Sequence, residues 1–290
     1  MMLLIYITLT TFLFYEINTA MAADMTVREH IEELRTRMLH IIISVTVITI
    51  FSLSFGMKPY YSHGIAQPLY YPYPDVFHNV ATQLTSQMAN ALLPSGVKLI
   101  QTAPGQAFFA QLYVSLLIGI IASMPIIIKE VYGFVSPAVG RKTKQIGIVS
   151  VFLPTLSLFI AGITFSYLIV IPFTIDFLYR YGQSLGVATF LNISDFVSFV
   201  LQFFLGFGIA FELPIIMYAI SLTQLLDPKF WRHNFRYATI ILVIFGAIIT
   251  PDGSGITMWF VAGPMIVLYL IGMFAIERRE RTRAQLSIDA

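Results

Sequence analysis

The chain has 290 residues, 57% of them hydrophobic and 11% charged, with a formal net charge of +2 and a mean hydropathy of +0.80. Soluble domains carry about a quarter of their residues as charges, so this composition excludes one and describes a polytopic membrane protein. The absence of cysteine rules out disulfides, thiolate metal sites and thiol chemistry. The five histidines (His30, His40, His63, His78, His233) fall in loops or at span ends, so neither a metal nor a haem-type cofactor is expected.

Residues 1–24 form an apolar extension. Its run Leu3–Tyr15 followed by Ala20-Met21-Ala22 imitates a secretory signal but lacks a basic n-region. Cleavage there would place the new N-terminus outside, against the arginines just downstream. Met21 and Met25 are alternative starts, and the extension carries no chemistry. Thr26-Val27-Arg28-Glu29 then has the form of a capping box. An amphipathic helix follows, with Ile31, Leu34 and Met38 on one face and Glu29, Glu33 and Arg37 on another. The plainest role of Glu33 is an i,i+4 pair with Arg37, contributing a few tenths of a kcal/mol.

A window of about 20 residues predicts six spans: Leu39–Phe55, Ala107–Ile128, Ile146–Ile175, Phe196–Leu222, Tyr237–Ile249 and Ile256–Ile276. Pro154 and Pro172 predict kinks near the ends of the third. The fifth covers roughly 20 Å of a roughly 30 Å hydrocarbon core and the sixth is cut by Pro264, so both final helices are expected to be short. Arg28, Arg35, Arg37, Lys129, Arg141, Lys142, Lys144, Lys229, Arg232, Arg236, Arg278, Arg279, Arg281 and Arg283 fall on one side, and only Lys58, Lys98 and Arg180 on the other. The positive-inside rule therefore puts both termini in the cytoplasm. The domain reading is a six-helix membrane domain over 25–280 and a cytoplasmic tail over 281–290, whose arginines anchor topology and touch anionic lipid.

The loop Lys58–Ala103 lies outside in two parts. Pro59, Pro68, Pro72 and Pro74 alternate with Tyr60, Tyr61, Tyr70, Tyr71 and Tyr73, a cluster suited to the bilayer interface. Val76–Leu93, free of Gly and Pro, predicts a cap helix lying on the bundle. Asn192, Ser194 and Asp195 supply an N-cap region for span four, and Asp252 is a turn residue in Thr250-Pro251-Asp252-Gly253.

Glu212 is the one charge within Phe196–Leu222. An ionised side chain mid-membrane costs several kcal/mol, so it is a functional candidate by default. Pro214 has no amide proton to give the Ala210 carbonyl, which predicts a bend beside the acid, and Gly206, Gly208 and Ala210 leave room for a close approach. Three accounts stand: a docking or insertion site, a proton-coupling group, and a protonated carboxyl bonded to loosened backbone. A proton-coupled transporter of a small solute would use such an acid, but no internal repeat is visible. An intramembrane hydrolase lacks a base at depth, and no segment reads as a channel's pore loop.

Four blocks in order carry a resemblance: His30-Ile31-Glu32-Glu33-Leu34-Arg35-Thr36-Arg37-Met38, Phe134-Val135-Ser136-Pro137-Ala138, Phe211-Glu212-Leu213-Pro214 and Thr250-Pro251-Asp252. From Thr26 to Glu280 the chain resembles TatC, the multispanning subunit of the twin-arginine protein translocase. That resemblance implies an all-α polytopic fold, six helices in a concave, glove-like bundle with the last two short. It implies a non-enzymatic receptor in the cytoplasmic membrane that binds twin-arginine signal peptides of folded cargo. Such a receptor recruits single-span TatA-like and, where present, TatB-like partners, works on the proton-motive force and self-associates; no nucleic-acid partner is expected. Reading paired arginines calls for carboxylates near the cytoplasmic surface. Glu33 stands at the family's first such position, with Glu32 and Arg35 in the same block. The second position falls on Thr143 between Arg141, Lys142 and Lys144, so Glu130, Glu32 or Glu29 is expected to substitute, Glu130 first. Pairing of Glu130 with Lys129 or water is the plain alternative. Glu212, with Phe211 and Pro214, matches the family's intramembrane acid; Phe134, Pro137, Pro68 and Asp252 are structural.

Overall fold

A computed structural model describes residues 27–60, 69–135, 148–186, 189–222, 226–227, 229–250 and 255–288. Thr26, Pro68, Pro137, Thr143, Asp252 and the extension 1–24 lie outside these. The architecture is mostly helical. Among the described residues five helices are long and apolar enough to cross a membrane, and Phe235–Ile249 is a shorter apolar one.

The amphipathic lead-in and first span form one helix, α1 (Val27–Ser54), because no Gly or Pro interrupts it. Its 28 residues reach about 42 Å. Strands β1 (Phe55–Tyr60) and β2 (Leu69–Pro74) follow as an antiparallel ribbon, registered from Phe55 opposite Pro74 to Tyr60 opposite Leu69. The tyrosine–proline cluster is thus folded into a hairpin, which its composition concealed. Prolines survive in it because each strand of a two-stranded ribbon has an unpaired edge. Lys58 Nζ lies 3.9 Å from the centroid of Tyr73, its diagonal cross-strand neighbour.

The cap helix is α2 (Val80–Leu92), shorter at its start than the expected Val76–Leu93. The missing turn is used by Asp75, whose Oδ1 accepts the Phe77 and His78 amides at 2.9 Å each, and by Asn79, whose side chain accepts the Thr82 amide at 2.8 Å. The Asn79 amide group also donates to the Leu53 carbonyl and to Gln111 Oε1, tying the cap to the end of α1 and to the second span. Ala81, Thr85, Met88 and Leu92 form the buried face of α2.

After β3 (Lys98–Ile100), α3 (Gln106–Val135) returns antiparallel along α1. The third span is a continuous rod: α4 (Ile148–Phe165), a π-helical turn (Ser166–Val170) and α5 (Ile171–Ser184). The wide turn lies immediately before Pro172, and the Ile171 amide reaches back five residues to Ser166, an adjustment that fits the proline's missing donor into a helix. Strand β4 (Phe190–Asn192) pairs in parallel with β3 and leads into α6 (Ile193–Phe211), N-capped by Asn192 through the Ser194 amide. Phe196, Phe203 and Phe207 of α6 are fully buried, so this helix is the axis of the core.

Helix α6 ends at Phe211 and α7 (Leu213–Leu222) begins after the interruption at Glu212, where Pro214 predicted a bend. The short α8 (Lys229–His233) and α9 (Phe235–Ile249) follow; α9 spans only about 22 Å, as expected for a short fifth helix. The last helix departs from expectation. Pro264 does not cut it, and α10 (Ile256–Ile288) runs 33 residues through its apolar part into the charged tail. Proline is tolerated in apolar helices whose neighbours pack around the loosened turn.

The contact between α1 and α3 is close enough that a Cβ on Gly119 would strike Thr49 Oγ1 and lie 2.8 Å from the Val45 carbonyl. Gly119→Val should therefore lower stability in detergent by about 1–3 kcal/mol, the usual cost of overpacking. Gly263, with nothing within 4 Å of its Cβ position, should accept alanine without a change in Tm. Equal Tm for Gly119→Val and the parent chain would refute the close packing. A second expectation concerns acid. The His78 amide, then the Phe77 amide, hold the Asp75 carboxyl below its ordinary 3.8. A lowered folded-state pKa contributes stability that is full above the unfolded value and lost as pH falls through the folded one. Exchange of the Phe77 and His78 amide protons should be slow at pH 5, speed up below about pH 4, and lose that dependence in Asp75→Asn.

Candidate functional site

At the end of the bundle that carries the basic residues, α1 and α3 bring four polar side chains into one cluster. Arg37 donates from Nη2 and Nε to Glu33 Oε1 at 2.6 and 2.9 Å, and from Nη1 to Glu130 Oε2 at 3.0 Å. His40 Nδ1 lies 3.2 Å from the other Glu130 oxygen. One guanidinium thus spans two carboxylates from different helices. The side chains of Arg37 and Glu33 are each 17% exposed and that of Glu130 is 8% exposed, so these charge-assisted bonds are largely shielded from water.

Local geometry explains why these residues meet. Glu33 and Arg37 are one turn apart on α1, and His40 continues the same face. Glu130 is two residues past the predicted end of the second span, as Arg37 is two residues before the predicted start of the first. Antiparallel helices of that length put both at the same depth. The His30 ring stacks on Phe134 with centroids 4.4 Å apart and planes 11° apart, closing one side of the cluster and giving the first residue of the Phe134 block a contact on α1. Glu33 Oε2 is buried and without a hydrogen-bond partner among the described residues; His30 Nδ1 lies 3.6 Å from it.

The other block residues fare differently. Glu32 is exposed and pairs with Arg28 at 3.4 Å, and Arg35 is exposed and joins none of the bonds of the cluster. Glu32 and Arg35, named with Glu33 and Glu130 as signal-peptide-binding residues, are turned on the helix some 100° or more from the Glu33–Arg37 face. Glu130, expected to substitute for the second acid, lies beside Glu33 in space, with Arg37 and His40 as its partners. Sequence reasoning missed Arg37 as the bridge and His40 as a member, because it paired Arg37 only within its own helix.

Glu212 forms a second candidate position. It is 8% exposed, at the α6–α7 interruption, and its Oε1 has no hydrogen-bond partner among the described residues. Its own amide bonds to the Ile209 carbonyl at 3.1 Å, tightening the last turn of α6, and its carbonyl accepts the Ile216 amide of α7 at 3.0 Å. Phe211 packs between Phe165 and Phe207, with ring centroids 5.6 and 6.5 Å away. Pro214 lies against Gly272 of α10, where a Cβ would come within 3.1 Å of the proline Cα. The acid is thus held on a hinge between two helices, with α10 against its proline.

A further set of bonds at the basic end ties α8 to α10. Arg232 makes a forked pair with Glu277, each N to O distance 2.8 Å. Tyr269 donates to the Trp231 carbonyl at 2.9 Å, Trp231 donates to Ser221 Oγ at 2.8 Å, and the Arg279 guanidinium lies 5.2 Å from the Tyr218 ring. These contacts tie α8 to α7 and α10.

Residues 29–264 match the model of the family described as Sec-independent protein translocase protein (TatC). The chain is 51% identical over 259 residues to the Sec-independent protein translocase protein TatC of Cenarchaeum symbiosum (strain A), covering 89% of this chain and 97% of that protein. It is 31% identical over 252 residues to the protein of the same description from Aquifex aeolicus (strain VF5), covering 86% and 94%. In three dimensions it is similar to a crystal structure described as the twin arginine translocase receptor TatC, with a TM-score of 0.70 and 28% sequence identity, over 86% of this chain and 98% of that one.

Proposed function

The chain belongs to the TatC family of Sec-independent protein translocase proteins, and on that premise we propose that it is the receptor of its translocase. It binds the paired arginines of a signal peptide at Glu33 and Glu130. The observation that carries this reading is the bridge itself: the two carboxylates are set so that one guanidinium bonds both. A planar fork with five N–H donors fits that arrangement, and a lysine ammonium, a point charge with three donors, does not. Thr143, at the family's second acidic position, needs no carboxylate if Glu130 supplies it from α3.

In this reading the basic end faces the cytoplasm, the chain is a multi-pass protein of the cytoplasmic membrane, and both termini are inside. It performs no bond-making chemistry. It recruits TatA-like and TatB-like single-span subunits, so that folded cargo crosses on the proton-motive force, and it associates with further copies of itself. Glu212, with Phe211 and Pro214, docks the inserted signal or a partner helix: a carboxyl with an unused oxygen on a helix hinge can accept a donor from an arriving segment. A small-solute transporter would use Glu212 but leaves the Glu33–Glu130 pair without a purpose.

The recognition reading is tested with the chain in lipid nanodiscs and a signal peptide carrying a photoreactive group beside its arginines. The Arg-Arg peptide should label the Glu33 and Glu130 segments about tenfold more than a Lys-Lys peptide, and Glu33→Gln or Glu130→Gln should cut that labelling; equal labelling by both peptides removes the proposal. For Glu212, Glu212→Ala coexpressed with its single-span partner should lower export of a folded reporter while membrane-inserted protein stays at parent level. Glu212→Gln should retain more export than Glu212→Lys, since only the amide keeps an acceptor oxygen at that size. The reverse order would eliminate a hydrogen-bonding role.

A further inference from the structure

The carboxylates assigned to an incoming arginine pair already hold an arginine of the protein itself. We propose that Arg37 is a resident competitor: its guanidinium occupies the Glu33–Glu130 site in the unliganded receptor and yields it when paired arginines arrive. This inference rests on the recognition reading above and adds to it a residue that sets affinity.

Three observations carry it. The first is the way Arg37 binds. It uses Nε, Nη2 and Nη1 across both acids, the bonding that a peptide arginine would need, so two guanidinium groups cannot both occupy that bridging position.

The second is the charge balance. Two carboxylates face one guanidinium, with His40 beside Glu130 and His30 Nδ1 3.6 Å from Glu33 Oε2, and that buried oxygen has no hydrogen-bond partner among the described residues. A first peptide arginine can take up that unused oxygen and the excess negative charge while Arg37 stays. A second that takes the bridging fork across Glu33 and Glu130 must displace Arg37, which fills that position. One arginine adds and the next exchanges, so full occupancy depends on a pair.

The third is the shielding of the cluster, in which Arg37 and Glu33 are each 17% exposed and Glu130 8%. Leaving either carboxylate without a cation there is costly, so a receptor awaiting its ligand is steadier with a cation of its own in place. Exchange of one fork for another then loses few bonds, whereas an ammonium group returns fewer than it breaks.

The test uses the whole chain in nanodiscs and a fluorescent Arg-Arg signal peptide. Arg37→Lys keeps the charge but loses the fork, so the competitor is weaker, and the peptide should bind about five- to tenfold more tightly. Unchanged or weaker binding overturns the inference, since a purely structural or ligand-contacting Arg37 gives one of those results. A second measurement on the unsubstituted chain, with ¹⁵N-arginine and the Arg37 signal assigned by its loss in Arg37→Lys, follows the Arg37 Nε–H resonance. Arg-Arg peptide should move it toward the position of free arginine and Lys-Lys peptide should not; a resonance that stays fixed at saturation overturns the inference. The two proposals fail separately. If Glu33→Gln abolishes Arg-Arg binding while Arg37→Lys leaves it unchanged, the receptor reading stands and the competitor falls. If the parent chain binds Arg-Arg no better than Lys-Lys, both fall together.

Discussion

One helical register, α1 against α3, decides which charges meet. It is fixed at membrane depth by the Ser44–Ser123 hydroxyl contact of 2.9 Å and by Gly119, whose missing side chain lets α3 lie against Val45 and Thr49. It is fixed at the ends by Arg37 with Glu130 and, through the cap, by Asn79 with Gln111. Apolar packing alone would hold these helices weakly in register, because lipid tails compete for the same faces; small residues and hydroxyl pairs do better. A slip of one turn, 5.4 Å, would break all four contacts at once and separate the two carboxylates. The outer face of α1 contributes nothing to this alignment: Ile42, Ile43, Val47 and Ile50 are each more than half exposed, as a lipid-facing surface requires.

Elsewhere the bundle tolerates irregular backbone where neighbours support it. Gly162 of α4 lets the Phe207 carbonyl of α6 approach within 2.5 Å of where a Cβ would stand, so the rod containing the π-helical turn is pressed onto the core helix. The break between α6 and α7 is backed by α10 through Gly272. Prolines 172, 214 and 264 therefore mean three different things: a widened turn, an interruption and an uninterrupted helix. The surrounding packing, rather than the proline, selects among them.

Much of this was legible in the sequence, for a definite reason. Hydrocarbon thickness fixes span ends, and span ends fix depth; once Leu39 and Ile128 bound two consecutive spans, Arg37 and Glu130 are at one level. The hinge at Glu212 was readable because Pro214 acts within its own helix. What could not be read was lateral. Nothing local in Tyr70-Tyr71-Pro72-Tyr73 says that it pairs with Phe55–Tyr60, since ribbon pairing depends on a partner strand and on a turn. Arg35 and Arg37 look alike in the string, and only helical rotation puts one on the α3 side and leaves the other exposed. The continuity of α10 across Pro264 also escaped, because it depends on neighbours remote in sequence.

The contrast between the two acidic sites carries the mechanism further than either alone. Glu33 and Glu130 are compensated by a cation supplied within the protein, at a level where arriving guanidinium groups can take its place; such a site is stable while waiting and loses little on exchange. Glu212 has one oxygen without a hydrogen-bond partner among the described residues and is held at a hinge rather than in a pair. A buried polar atom left unsatisfied costs about 1–3 kcal/mol, so the unliganded state carries a cost at Glu212 that a docked segment bearing a donor removes. In the proposed receptor, recognition at the surface by exchange, followed by satisfaction of an unmet acceptor at depth, would give a signal peptide a reason to continue inward after its arginines are held. In that proposed receptor the order follows from the chemistry: binding that must displace Arg37 can select a ligand reversibly, while binding at Glu212 Oε1, which has no hydrogen-bond partner among the described residues, displaces none and can retain it.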